Sequence, residues 1–283
     1  MSSLEDYKGQ APAWCPGCGN FAILKVFKDA MAELGIEPHN FTIVSGIGQA
    51  GKFPHYLKCN TFNGLHGRTL PVATGIRLAN HEMLTIAVAG DGDCYGEGGN
   101  HLMHAMRRNV NVKLFVHDNQ IYGLTKGQAS PTSIEGMITK NQPFGVFSEQ
   151  LNPMAFAVAL DCSFAARGFV GDMEHLKGLI KAAINHKGFS LVDILQPCVT
   201  FNKINTYEWY RQRVYRIEPE YNPEDRAEAF KKSLEWGERI PIGIIYKNNR
   251  QILEDRIPVI KDAPLVRQPL DKSKLNITLK EFY

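Results

Sequence analysis

Four apolar runs constrain the fold most: "FTIVSG" (Phe41–Gly46), "MLTIAVAG" (Met83–Gly90), "VKLFVHD" (Val112–Asp118) and "SLVDIL" (Ser190–Leu195). Each is nearly continuous rather than alternating. A strand with one wet face alternates apolar and polar residues, whereas a strand covered on both faces does not. Segments with helical patterning run from Asn20 to Leu34, Leu70 to Ala79, Gly98 to Arg108 and Met173 to His186. This rhythm predicts an α/β domain with a doubly wound, mainly parallel sheet. In such sheets ligands sit beyond the carboxyl ends of the strands. Polar and Gly-rich residues directly after a strand are therefore where chemistry is expected.

From about Gln196 the texture changes to aromatic and charged. One helix is expected there, Pro223 to Trp236, with Asn222 as its N-cap and acids in its first turn. The last stretch, "IPVIKDAPLVRQPLDKSKLNITLKEFY", is interrupted by prolines and reads as an arm. The division expected is 1–200 for the α/β domain and 201–283 for a C-terminal extension lying on this subunit or a partner.

A net charge of +3, with no Lys/Arg run, argues against nucleic acid as a partner. No apolar stretch reaches the roughly 18 residues that span a bilayer. "MSSLEDYKGQ" carries no secretory signal, so the expected compartment is the cytoplasm. In that reducing setting the six cysteines are not a disulfide framework.

After "MLTIAVAG" comes "DGDCYGEGGN", and after "VKLFVHD" comes "NQIYGLTKGQ". Asp91 and Asn119 thus each follow a strand, 28 positions apart, about one strand–helix–strand unit. A lone G-D-G is common in turns. Two oxygen donors at neighbouring strand ends, beside glycines that expose backbone N–H groups, suit a phosphate bridged by a divalent cation. Mg²⁺ takes few oxygens from protein and fills its octahedron with phosphate and water.

G-D-G followed by that Asn resembles the thiamine diphosphate motif. "GDGDCYGEGGNHLMHAMRRNVNVKLFVHDNQIYGLTKGQASPTS" resembles more narrowly the β subunit of the 2-oxoacid:ferredoxin oxidoreductases, as do "CPGCGN", "SGIGQAGKFPHY", "LHGRTLPVATGIRLAN" and "QPCVTFN" in the same order. The resemblance spans roughly Trp14 to Tyr210. It implies a thiamine diphosphate-binding fold in which Asp91, Asn119 and the carbonyl of Ile121 hold Mg²⁺. It implies that Gly92, Asp93, Gly123 and Leu124 line the diphosphate, with Ile47, Gly48, Gln49 and His66 elsewhere on the cofactor. Lys126 would face the substrate carboxylate; read without the family it is a solvated loop lysine. His66, in the same way, could be a core histidine.

Cys15 and Cys18 form a C-x-x-C pair, which alone does not choose between zinc, redox and iron–sulfur use. The resemblance implies a [4Fe–4S] cluster held by Cys15, Cys18, Cys198 and one further thiolate. Relatives carry that ligand in "GIGC", whereas this chain reads "GIGQ" with Gln49 in its place. Cys59 lies in the same connection and is expected to replace it, since sulfur suits such clusters and an amide does not. Cys94 and Cys162 read as buried thiols.

The implied reaction is oxidative decarboxylation of a 2-oxoacid, with the acyl group passing to coenzyme A and electrons passing through the cluster to ferredoxin. The reverse carboxylation uses the same chemistry. Thiamine enzymes also need an activating Glu on a pyrimidine-binding domain, and only one α/β domain is read here. An α subunit is therefore expected to supply that Glu and the coenzyme A-site residues. 2-Oxoglutarate is the expected substrate, with pyruvate or a branched 2-oxoacid as the alternative. Two other classes compete with this reading: a non-redox thiamine lyase subunit, which has no use for the cysteines, and a zinc-stabilised scaffold.

Overall fold

A computed structural model describes residues 3–270 and 272–282. Eight strands build one sheet: β1 Phe41–Ser45, β2 Asn60–Asn63, β3 Leu84–Gly90, β4 Lys113–Asp118, β5 Phe164–Phe169, β6 Ser190–Leu195, β7 Val214–Arg216 and β8 Ile240–Lys247. Their order is β2-β1-β3-β4-β6-β5-β8-β7. Every pairing is parallel except β5 with β8. The expected mainly parallel α/β sheet is thus observed.

Helices cover both faces. They are α1 Asn20–Glu33, α2 Thr69–Ala79, α3 Gly99–Arg108, α4 Pro153–Ala159, α5 Met173–Asn185, α6 Tyr207–Arg211, α7 Arg226–Ser233 and α8 Leu253–Arg256. Successive strand residues point to opposite faces. On β3, Ile86 and Val88 join the core under α1 and α5, while Ala87 and Ala89 join the core under α2, α3 and α4. This two-sided burial is why the strands read as continuous apolar runs.

The region expected to be an extension supplies two strands of the sheet, β7 and β8. Buried Ile240, Ile242 and Ile245 lie on β8, the strand through which this segment pairs with β5. The buried ion pair of Arg77 on α2 with Glu254 on α8 closes at 2.6 Å. The helix expected over 223–236 is shorter. Asp225, not Asn222, caps it by accepting from Ala227 and Glu228 N–H, while Asn222 accepts from Glu224 N–H in a turn ahead of it. Among the described residues no helix is long and apolar enough to cross a membrane.

Candidate active site

The carboxyl ends of β1, β3, β4 and β6 lie side by side, because these four strands are neighbours in the sheet. The loops that leave them carry the residues singled out by sequence. One pocket is lined by Ile47, Gly48 and Gln49 after β1, by Asp91, Gly92 and Asp93 after β3, and by Asn119, Ile121, Gly123 and Leu124 after β4. His66 also lines it.

Glycine shapes this pocket twice. Gly48 sits at φ 118°, in the left-handed region that other residues resist. A side-chain carbon on Gly92 would meet the Tyr122 ring at 2.2 Å. The chain after β3 therefore passes flush under that ring and turns at once into a π-helical turn, Gly92–Glu97.

Asp91 is 2% exposed, and burial pushes its carboxyl above the usual carboxylate range. Its Oδ2 accepts from Thr132 Oγ1 at 2.7 Å. Asn119 Oδ1 accepts from Ile121 N–H, which fixes the amide over the turn. Asp91, Asn119 and Ile121 thus line one glycine-shaped pocket, with a buried carboxylate, an amide and a backbone carbonyl among its oxygen donors. This donor set fits a diphosphate held through Mg²⁺.

Asp93 acts on the protein itself. Its carboxylate accepts from Ile47 N–H at 3.1 Å, Gly67 N–H at 2.8 Å and Thr69 Oγ1 at 3.1 Å. A side-chain carbon on Gly46 would strike it at 2.0 Å. Asp93 therefore ties the loop after β1 to the loop before α2. His66 Nδ1 lies 3.1 Å from Asp93 and 3.2 Å from Glu97, in ion-pair range of both but in hydrogen-bond geometry with neither. Lys126 does not line the pocket. It is exposed at the tip of the following turn, at φ 75°.

A second pocket adjoins the first. Cys15, Cys18 and Cys198 line it together with Trp14, Asn119, Gly123 and Gln196. Gln49 lines both pockets. Gln196 Nε2 donates to Cys18 Sγ at 3.3 Å, and Phe201 N–H to Cys198 Sγ at 3.5 Å. Burial first, then the closeness of Cys198 and Cys15, pushes the Cys18 thiol up to about 11.

Cys59 is not among these thiols. Asn60 pairs with Thr42, so Cys59 lies level with Phe41 at the start of β1, whereas Gln49 follows the other end. The intervening strand is about 13 Å long at 3.3 Å per residue. Cys59 packs against the core, and burial pushes it up to about 12. The expectation that Cys59 replaces the missing ligand is corrected: a four-thiolate set is not what the chain brings together. Among the described residues no three His, Cys, Asp or Glu groups close on a single metal ion. A cubane spaces its thiolates more widely than one tetrahedral ion does. Cys94 and Cys162 are buried.

Sequence reasoning passes over a polar group beneath the pocket. Thr132, Asp118, Asp193 and Arg167 are each 2% exposed or less. Arg167 faces Asp193 at 3.9 Å, and Asp193 accepts from Tyr95 OH at 2.7 Å. The only sequence signal is "ASPTS", which belongs to the resembling stretch but gives Thr132 no role.

Comparison with known proteins agrees with this geometry. The family described as "Thiamine pyrophosphate enzyme, C-terminal TPP binding domain" matches residues 46–194. The family of the C-terminal part of the pyruvate ferredoxin oxidoreductase beta subunit matches 198–262. A 2-oxoacid:ferredoxin oxidoreductase subunit beta from Sulfolobus sp is 48% identical over 277 residues, covering 92% of this chain and 91% of that one. The 2-oxoglutarate oxidoreductase subunit KorB of Mycobacterium tuberculosis is 44% identical over 193 residues, covering 68% of this chain and 52% of that one. A solved 2-oxoglutarate:ferredoxin oxidoreductase from Magnetococcus marinus, with 2-oxoglutarate, coenzyme A and succinyl-CoA bound, superposes with TM-score 0.91 at 36% identity, over 98% of this chain and 96% of that one. The fold and site define a thiamine diphosphate-binding subunit. The chain belongs to the β subunits of the 2-oxoacid:ferredoxin oxidoreductases.

Proposed function

We propose that this chain is the cofactor-binding subunit of an enzyme that decarboxylates 2-oxoglutarate oxidatively, with coenzyme A and ferredoxin as co-substrates. The observation that carries the reading is Gln49, which lines both the pocket of Asp91, Asn119 and Ile121 and the pocket of three thiols. A non-redox lyase has no use for the second pocket.

Bound in the first pocket, thiamine diphosphate supplies a carbon nucleophile for the ketone of a 2-oxoacid and accommodates the electrons left when CO₂ departs. The chain's own residues do the rest. Asp91, Asn119 and the Ile121 carbonyl would hold Mg²⁺, and Gly92, Gly123 and Leu124 would line the diphosphate. Asp93 keeps Ile47 and the His66 loop in place through its three acceptor bonds. His66 lines the same pocket, within 3.2 Å of Asp93 and Glu97. Lys126, exposed on the turn just outside the pocket lining, is proposed to meet the substrate carboxylate.

The preference for 2-oxoglutarate draws on the neighbour that contains it and on the KorB relatives. Relatives named only for 2-oxoacids keep pyruvate and branched substrates as the second reading. An α subunit is proposed to cover Ile138, Phe144 and Phe147, which are 73%, 87% and 84% exposed beside a wide cleft near Tyr122. It would bring the activating Glu and the coenzyme A contacts.

The test is anaerobic co-purification with the α subunit, followed by assays of 2-oxoglutarate, pyruvate and 2-oxoisovalerate with coenzyme A and ferredoxin. Turnover that requires thiamine diphosphate and is fastest with 2-oxoglutarate is expected. No turnover of any 2-oxoacid by the loaded complex would sink the proposal.

A further inference from the structure

Gln49 lines the thiol pocket beside Cys15, Cys18 and Cys198 without contributing sulfur. Trp14, directly before the C-x-x-C turn, donates from Nε1 to the Gln49 carbonyl at 2.9 Å, locking that loop to the cysteine turn. The Gln49 side-chain oxygen is buried without a hydrogen-bond partner. Its Cγ lies 3.9 Å from where a side-chain carbon on Gly123 would stand, so Gln49 faces the floor of the diphosphate pocket as well. The sulfur side is complete within itself. Cys18 N–H closes a turn on the Cys15 carbonyl at 3.0 Å, and N–H donors already point at Cys18 and Cys198. Such donors tune a metal-bound sulfur. Cys59 cannot serve, because it lies level with the opposite end of β1.

We propose that this chain holds an iron–sulfur cluster by three thiolates, Cys15, Cys18 and Cys198, and turns the iron without a thiolate toward Gln49 and the thiamine pocket. The inference rests on the reading of the chain as a redox subunit. An amide oxygen is a poor ligand for such iron beside thiolate. The unligated corner is therefore exchangeable and accessible to small ligands from the cofactor side. Its chemistry is balanced simply: a [4Fe–4S]²⁺ cluster that gives one electron to ferricyanide and releases one Fe²⁺ leaves [3Fe–4S]⁺.

The experiment uses the anaerobically purified complex with its α subunit. Iron, acid-labile sulfide and the EPR spectrum are followed through a ferricyanide titration for the native protein, Cys59→Ala and Gln49→Cys. The native protein and Cys59→Ala are expected to fall from about four irons to about three per chain and to show a three-iron EPR signal that Fe²⁺ added together with a one-electron reductant (dithionite) removes. Gln49→Cys is expected to keep its fourth iron through the same titration. Loss of the cluster in Cys59→Ala overturns the inference. So does a native protein that retains four irons as firmly as Gln49→Cys, or one that carries zinc alone. Thiamine-dependent turnover is scored separately, so failure of the functional reading with the iron behaviour intact is recognisable as such.

Discussion

The hydroxyl of Thr132 lies 2.7 Å from Asp91 Oδ2 and also 2.8 Å from Asp118 Oδ1. A hydroxyl has one proton to donate. It cannot serve two carboxylates at once, so one of the two acids must return a proton to it. Burial pushes Asp118 well above the usual carboxylate range, with Asp193 and Asp91 adding to the rise. Thr132 therefore links Asp91, which lines the pocket, to Asp118 beneath it, and its bond to Asp91 Oδ2 orients that side chain. Thr132→Val keeps the volume and removes the orienting bond. It is expected to weaken Mg²⁺ binding by roughly tenfold, the low end for a group that positions a metal ligand. Calorimetric titration of Mg²⁺ into the thiamine diphosphate-loaded complex reads this directly. An unchanged affinity would remove Thr132 from the site.

Asp91 itself should show opposed effects on binding and stability. Its folded-state proton affinity is raised from the ordinary 3.8 by burial. A carboxylate whose proton affinity rises on folding contributes stability that is lost as pH rises through its raised folded-state pKa, so its ionised form costs the fold. Asp91→Asn is therefore expected to leave the metal-free protein at least as resistant to urea as the native chain. Mg²⁺-dependent thiamine diphosphate binding should fall by more than about 100-fold, beyond what loss of an orienting partner costs. A variant that lost both together would mean that Asp91 is structural.

His117 provides a pH dependence set by burial. It is 1% exposed, its Nδ1 lies 2.7 Å from Asn20 Oδ1, and burial alone lowers it to about 3. In the unfolded chain it titrates near the ordinary 6.5. Between those values the unfolded state holds a proton that the folded state lacks. Stability is therefore full above 6.5 and declines as pH falls toward about 3, by about 1.4 kcal/mol per pH unit. His117→Gln should lose that part of the slope. Urea midpoints measured from about pH 7.5 to about 4.5, inside that titration window, would show the two curves converging on the acid side; parallel curves would contradict the assignment.

The exposed aromatic pair gives a test of the partner. Phe144 and Phe147 expose more of their surface than any other phenylalanine described. They sit on the loop that walls the cleft beside Tyr122. Aromatic anchors at an interface centre cost about 2 kcal/mol or more when truncated, roughly 30-fold in affinity. Phe144→Ser with Phe147→Ser should weaken association with the α subunit by at least that factor, measured by analytical ultracentrifugation. Association at native strength would place the interface elsewhere.

How much of this was legible follows from where each signal lives. β1, β3, β4 and β6 are apolar runs, and residues lining the pocket stand directly after β1, β3 and β4, so strand and site were read together. β5 was missed because "FAARGF" breaks its run with Arg167 and Gly168, and Arg167 is buried against Asp193, a partner distant in sequence. β8 was missed because Pro241 and Gly243 break its apolar run: Pro241 is the second residue of the strand, and the ladder to β5 is irregular at Ala165/Ala166. Cys59 was misplaced because sequence shows that a residue belongs to a connection, not which end of the sheet it lies beside. Thr132 had no signal, since its meaning depends on two acids from different strands.

Arg77 and Glu254 show how firmly the last part of the chain belongs to the domain. The Arg77 Nε–Glu254 Oε1 distance is 2.6 Å, with the two side chains 10% and 2% exposed. Glu254 also accepts from Asn111 N–H, and Arg77 donates to the Met83 carbonyl. The pair thus joins α8 to the entrances of both β3 and β4. Removing one partner leaves a buried charge alone, at a cost of about 3–5 kcal/mol. Arg77→Ala and Glu254→Ala are each expected to destabilise by that amount in urea unfolding. The double change Arg77→Met, Glu254→Met removes both charges and keeps apolar volume, so it should cost clearly less than either single change. If the double variant lost as much stability as the two single changes summed, the two charges would not be coupled, and the attachment of residues 253–256 would rest on other contacts.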